Sequence, residues 1–301
     1  MPVSSVELDE RTRGGLGGAC CELSDGVTHY RLSGPADGPA VVMVHGGTVP
    51  HWIWDSLAEC LSDDGFRALC YDQFGRGFSD RPKTTYNRAL YERQLRELVD
   101  RLAFHEPFDL VGLSMGGATA VNYTARHPAR VRRLVLIAPV VNHFKVPPIL
   151  RLPVVGELTL RLAGLRFMHR RFAELAESLP GFEGVQRQFM EQTTYKGFQR
   201  ALLSMMRSDA LGNYEDAYRT VGEQERDILL IWGKRDVEIT AAMIADVRRF
   251  IPRLYFKPVA DAGHGVVLEK PALINKMVLG FLRGKPAADM DASGYGFDAR
   301  K

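Results

Sequence analysis

The chain has 301 residues, 46% of them apolar and 25% charged, which is enough to bury one large core or two modest ones and argues against disorder. A formal charge of only +3 lacks the broad basic field of a nucleic-acid binder and removes that class. The four cysteines, Cys20, Cys21, Cys60 and Cys70, form no C-x-x-C pair and no cysteine–histidine spacing suited to zinc, so no metal is expected and a reducing compartment fits best.

After Met1 to Ser5 come acidic residues, with no apolar stretch long enough for a signal peptide or a membrane span, so a soluble, cytoplasmic protein without an integral membrane segment is expected. The first strand-like run is Ala40 to Val44, followed by the loop His45-Gly46-Gly47-Thr48-Val49-Pro50 and by Trp52 and Trp54. The next run, Ala68 to Tyr71, leads into the glycine-punctuated turn Asp72 to Asp80. That turn has neither G-K-[ST] nor G-x-G-x-x-G before a helix, so it reads as a support for the preceding loop and not as a phosphate cradle. Helical spacing at Leu90, Gln94, Leu98 and Leu102 precedes a third run, Phe108 to Val111.

Gly112-Leu113-Ser114-Met115-Gly116 follows that run directly and opens an alanine-rich helical stretch from Ala118 to Ala125. G-x-S-x-G between a strand and a helix sets serine on a sharp turn with its hydroxyl projecting from the sheet, and the amide of Met115 points where an oxyanion would form. A fourth run spans Leu134 to Ile137. From His143 to about Glu215 only helical patterning occurs, with Leu158, Leu162, Leu165, Met168, Phe172 and Leu175 as one apolar stripe and a second stretch around Phe198, Leu202 and Met205. These residues, 143–215, read as a helical lid inserted into a core of residues 1–142 and 216–285. The lid holds ten Lys or Arg against seven Asp or Glu, which accounts for the whole formal excess.

A serine hydroxyl is a weak nucleophile near neutral pH and requires a base. Of the eight histidines, His264 in Asp261-Ala262-Gly263-His264-Gly265 has the fitting context: a glycine-flanked loop after the apolar segment Leu254 to Val259 and before a final helix from about Pro271. The orienting carboxylate is expected at another strand end, and Asp236 closes Trp232-Gly233-Lys234-Arg235-Asp236 after the run Ile228 to Trp232, with Glu238 as the substitute. The second oxyanion amide is expected from Gly47, with Thr48 as the fallback, and His45, Gly46, Thr48, Trp52 and Trp54 are the expected substrate contacts. Residues 286–301 read as a tail with no core to join.

Alternation of short apolar runs with helical stretches predicts a doubly wound, mostly parallel sheet. His45-Gly46-Gly47, the turn from Asp72 to Ser79, Gly112 to Gly117, Gly233 to Asp236 and Gly263-His264 stand in an order that resembles the α/β-hydrolase superfamily from about Thr28 to Arg283. The chain looks most like its lidded esterase, lactonase and carbon–carbon hydrolase group. Haloalkane dehalogenases and epoxide hydrolases of this fold carry aspartate where Ser114 stands. The meta-cleavage-product hydrolases have a longer glycine-rich loop, interrupted here by Thr48-Val49, and a tryptophan beside the histidine, where Gly265 stands here. The resemblance implies a cofactor-free serine hydrolase acting on a small-molecule ester or lactone. A carbon–carbon bond hydrolase of a meta-cleavage-type diketone and a slow-turnover ligand receptor that keeps the triad stay open as alternatives.

Overall fold

Successive residues of a strand face opposite sides, so a strand covered on both sides must be apolar throughout. Ala40 to Val44 meets this demand: Val41 and Met43 enter one core and Val42 and Val44 the other, all buried. The computed structural model describes residues 6–9, 12–13, 17–142, 146–178 and 183–284. Within these, β1 (Ala19–Leu23), β2 (Gly26–Ser33), β3 (Ala40–Val44), β4 (Arg67–Tyr71), β5 (Phe108–Leu113), β6 (Val131–Ile137), β7 (Ile228–Gly233) and β8 (Tyr255–Val259) form one sheet in the order β1-β2-β4-β3-β5-β6-β7-β8. The pairs β1–β2 and β2–β4 are antiparallel, and every later pair is parallel, so the sheet is mostly parallel as the alternation predicts. The apolar-run pattern does not reveal β1 and β2, because this antiparallel edge keeps polar, largely exposed residues such as Glu22 and Arg31.

Helices cover both faces. On one side α1 (Asp55–Asp63) contributes Leu57 and Leu61, and the last helix of the core, Pro271–Leu282, contributes Ile274, Met277 and Phe281. The other face takes α2 (Arg88–Arg101) through Leu95 and Leu98 and α3 (Met115–Arg126) through Ala118 and Val121. It also takes Glu215–Gly222 through Tyr218 and Ala241–Phe250 through Val247. The chain runs from β3 to β4 on one side and then returns to β5 on the other. The loops after β3 and β5 therefore part at the carboxyl edge of the sheet, where a doubly wound fold leaves a crevice.

Between β6 and β7 the described residues contain helices and no strand. Short turns at Pro148–Arg151 and Val155–Thr159 lead through a π-helical segment, Leu160–Gly164, into α4 (Leu165–Ser178), followed by α5 (Glu183–Gln192) and α6 (Phe198–Arg207). Phe172 of α4 stacks on Phe189 of α5 with ring centroids 3.9 Å apart. The single apolar stripe expected here is divided. Leu165, Met168 and Phe172 pack inward, whereas Leu158 and Leu162 stand exposed, because the wider π turn from Leu160 to Gly164 rotates the helix face. The side chain of Leu175, His143 at the start of the expected lid, and the expected tail lie outside the described residues.

Candidate active site

Ser114 joins β5 to α3 with φ 54° and ψ −119°, a left-handed conformation that a residue with a Cβ adopts only at a cost of about 1–3 kcal/mol. Backbone hydrogen bonds hold it there. Its N–H donates to the Ile137 carbonyl at 2.9 Å, and its carbonyl accepts from Gly117, Ala118 and Val140 at 3.0, 3.2 and 3.1 Å. Glycine is required two residues on, since a Cβ at Gly116 would lie 2.2 and 2.3 Å from the carbonyl oxygens of Val44 and His45. That close approach brings the ends of β3 and β5 together.

Asp236 and His264 reach the same place from β7 and β8. Their loops press against each other at Gly233, where a Cβ would meet the carbonyl oxygens of Ala262 and Gly263, each at 2.4 Å. The Asp236 side chain is buried. Its Oδ1 accepts from the amides of Glu238 and Ile239 at 2.8 and 2.9 Å, which aims Oδ2 at His264. His264 Nδ1 lies 2.8 Å from Asp236 Oδ2 and His264 Nε2 lies 3.1 Å from Ser114 Oγ. A carboxylate can only accept, so Nδ1 carries the proton and Nε2 is left to accept from the serine hydroxyl. The Gly263 amide donates to Glu269 at 2.8 Å, anchoring the histidine loop to the end of the short helix Val266–Glu269. The Glu238 carboxylate stands 3.6 Å from Nε2, on the serine side of the ring.

The loop after β3 is braced from beneath by the Asp72–Ser79 turn. His45 is buried; its Nδ1 donates to the Gly46 carbonyl at 2.7 Å, and its Nε2 accepts from the Gln73 amide at 2.9 Å. Because Gln73 offers only an N–H, the ring stays neutral, and burial lowers its pKa to about 4. Arg76, fully buried, donates through Nε to the Gly47 carbonyl and through Nη2 to Met205 Sδ of α6 at 2.9 Å. Burial alone would raise the Asp72 carboxyl. The rings of His51 and His29, at 2.8 and 3.1 Å, hold it well below the ordinary carboxylate range. These three residues offer a metal-like donor set within 4.8 Å, but both Nδ1 atoms are engaged with Asp72, so the cluster acts as a brace. The amides of Gly47 and of Met115, the first residue of α3, donate to no protein acceptor among the described residues.

The family model for the alpha/beta hydrolase fold matches residues 39–271, a span that contains Ser114, Asp236, His264 and the loop after β3. The chain belongs to that family. A Bacillus subtilis protein that bears the name of a 2-succinyl-6-hydroxy-2,4-cyclohexadiene-1-carboxylate synthase is 30% identical over 274 residues, covering 86% of this chain and 96% of its own. Carboxylesterase YbfK of the same species is 26% identical over 262 residues, covering 86% of this chain and 85% of its own. Among solved structures, the enol-lactonase from Burkholderia xenovorans LB400 superposes with a TM-score of 0.75 at 22% identity. That match covers 88% of this chain and all of that one, a likeness of fold.

Not every expected contact of this α/β hydrolase faces the crevice. Gly46 does: a Cβ there would sit 3.4 Å from the Ser114 Cβ. Thr48 is half-buried, and its carbonyl accepts from Gln192 of α5 at 2.8 Å, tying the loop to the insertion. Trp54 is wholly buried in the core beneath α1, and His45 has both ring nitrogens committed to backbone, so neither is presented to a ligand. Trp52 is buried beside Trp54. Sequence reasoning missed Gln73, Arg76, Met205 and Glu269. Their roles depend on partners from 6 to 129 residues away, and no local spacing signals such pairs.

Proposed function

We propose that this α/β hydrolase cleaves a carboxylic ester or lactone of a small, largely apolar substrate through an acyl-enzyme. Ser114 Oγ attacks the carbonyl while His264 Nε2 takes its proton, and Asp236 holds the resulting imidazolium. His264 then protonates the leaving alcohol and next activates water, which releases the acid and frees Ser114. The amides of Gly47 and Met115 receive the developing oxyanion. Gly46 and Thr48 flank the acyl group, Trp52 supports that wall, and the helical insertion acts as a lid that shapes the apolar side of the pocket and limits water. No step calls for a metal or a cofactor.

One observation carries the reading: a strained serine, an imidazole and a buried carboxylate in series, with contacts of 3.1 and 2.8 Å. The relative named as a carboxylesterase is in keeping with it. A fluorophosphonate probe should label Ser114, and Ser114→Ala should lose both labelling and hydrolysis across a panel of esters and lactones graded by acyl length. Turnover of vinylogous diketones with none of esters would replace this reading by carbon–carbon cleavage, and a burst without repeated turnover would replace it by a ligand sensor.

A further inference from the structure

Seven of the eleven large apolar side chains that stand exposed among the described residues lie between Ile149 and Phe167, in the first part of the insertion. Leu158, Leu162 and Phe167 are 54, 53 and 55% exposed, and Val154 is 78% exposed. Exposed apolar side chains concentrated in one segment mark an interaction site. Val154 adds an independent sign: it sits at φ 62°, a left-handed conformation strongly disfavoured for a β-branched residue, and it holds that conformation with its side chain in water.

The charges of this segment that have no ion-pair partner among the described residues are of one sign. Arg151, Arg161, Arg166 and Arg170 are all exposed, and among the described residues only Arg170 is paired, with Glu174 at 3.5 Å. Glu157, the one acid between Arg151 and Arg170, is taken by Arg207 at 2.6 Å. A second copy of this chain seated two-fold on the same face would bring two arginine-bearing patches of the same sign together. Anionic headgroups complement both features at once: apolar side chains enter the headgroup boundary while arginines meet phosphates.

We infer that the segment from Ile149 to Arg170 docks this protein on an anionic lipid surface. The segment is fastened to the body by Arg207 of α6, which donates to the Leu150 and Leu152 carbonyls at 2.8 and 2.9 Å. The docking face is thus a fixed feature of the fold and does not rest on the catalytic reading.

The test is co-sedimentation of the full chain with vesicles of phosphatidylcholine alone and of phosphatidylcholine with about one-third phosphatidylglycerol, at low and high salt. Binding is expected to the anionic vesicles, weakened by salt, and to be on the order of tenfold or more weaker on neutral ones. The double variants Leu158→Glu/Leu162→Glu and Arg161→Gln/Arg166→Gln should each lower anionic binding by about tenfold or more while circular dichroism and melting stay unchanged. Absence of binding to either vesicle, or binding that neither double variant weakens, would overturn the inference. So would light scattering that finds a dimer which Leu158→Glu/Leu162→Glu dissociates, because the patch would then be occupied by a second copy.

Discussion

The Nδ1–H of His45 donates to the carbonyl oxygen of Gly46 at 2.7 Å, and the far edge of that same planar peptide is the N–H of Gly47. A trans peptide points its carbonyl and its N–H in opposite directions, so a ring that fixes the Gly46 oxygen also fixes where the Gly47 amide points. His45 thereby acts on the proposed oxyanion site through the backbone without touching a ligand.

His45→Leu should therefore lower kcat on a soluble ester by about tenfold to a hundredfold with little change in KM, since a misdirected oxyanion donor costs chiefly in the transition state. Steady-state kinetics checks this. A rise in KM at constant kcat would return His45 to the role of a binding residue.

The same ring makes stability depend on pH. Its pKa is about 4 in the folded protein against 6.5 for the unfolded chain, so below pH 6.5 the unfolded state binds the proton that the buried ring refuses. The contribution is intact above about pH 6.5, falls as pH drops, and levels off near pH 4 after a loss of roughly 3 kcal/mol. Urea unfolding at pH 7.5 and pH 5 should show about 2 kcal/mol of this loss, and the His45→Leu protein should show a clearly flatter dependence. Equal slopes in both proteins would place the acid sensitivity elsewhere.

The two carboxylates near His264 should behave differently on substitution. Asp236 faces Nδ1 and Glu238 stands near Nε2. Asp236→Asn should cost about 10⁴-fold in kcat, because the amide no longer enforces the tautomer that leaves Nε2 able to accept. Glu238→Gln should cost less than about tenfold in kcat, because Glu238 does not hold the Nδ1 proton that fixes the tautomer. Comparable losses in the two variants would contradict the assignment.

Gly233→Ala puts a methyl group against two carbonyl oxygens at 2.4 Å, so the Asp236 and His264 loops must separate. Loss of about 1–3 kcal/mol of stability, with activity reduced by more than the unfolded fraction explains, is the expected result, read by denaturation and active-site titration together.

Much of this was legible in the sequence because it is local. The G-x-S-x-G turn, the runs that become β3 to β8 and the ends of β7 and β8 are signalled by residues adjacent in the chain. What escaped is non-local or compensated. β1 and β2 hide behind polar, half-solvated residues, and the π turn at Leu160 to Gly164 rephases a stripe that looks continuous on paper. His45 looks like a ligand contact beside Gly46 and Gly47 until Gln73, 28 residues on, is seen to engage its far nitrogen.

The insertion leaves the sheet after β6 and re-enters it at β7, which pair side by side from Leu134 with Ile228 to Ile137 with Ile231. A single nick in the insertion would divide the polypeptide so that Ser114 belongs to one piece and both Asp236 and His264 to the other. Whatever activity survived such a cut would then gauge the grip of two neighbouring strands and the side chains around them, with no covalent link between the halves of the proposed reacting centre.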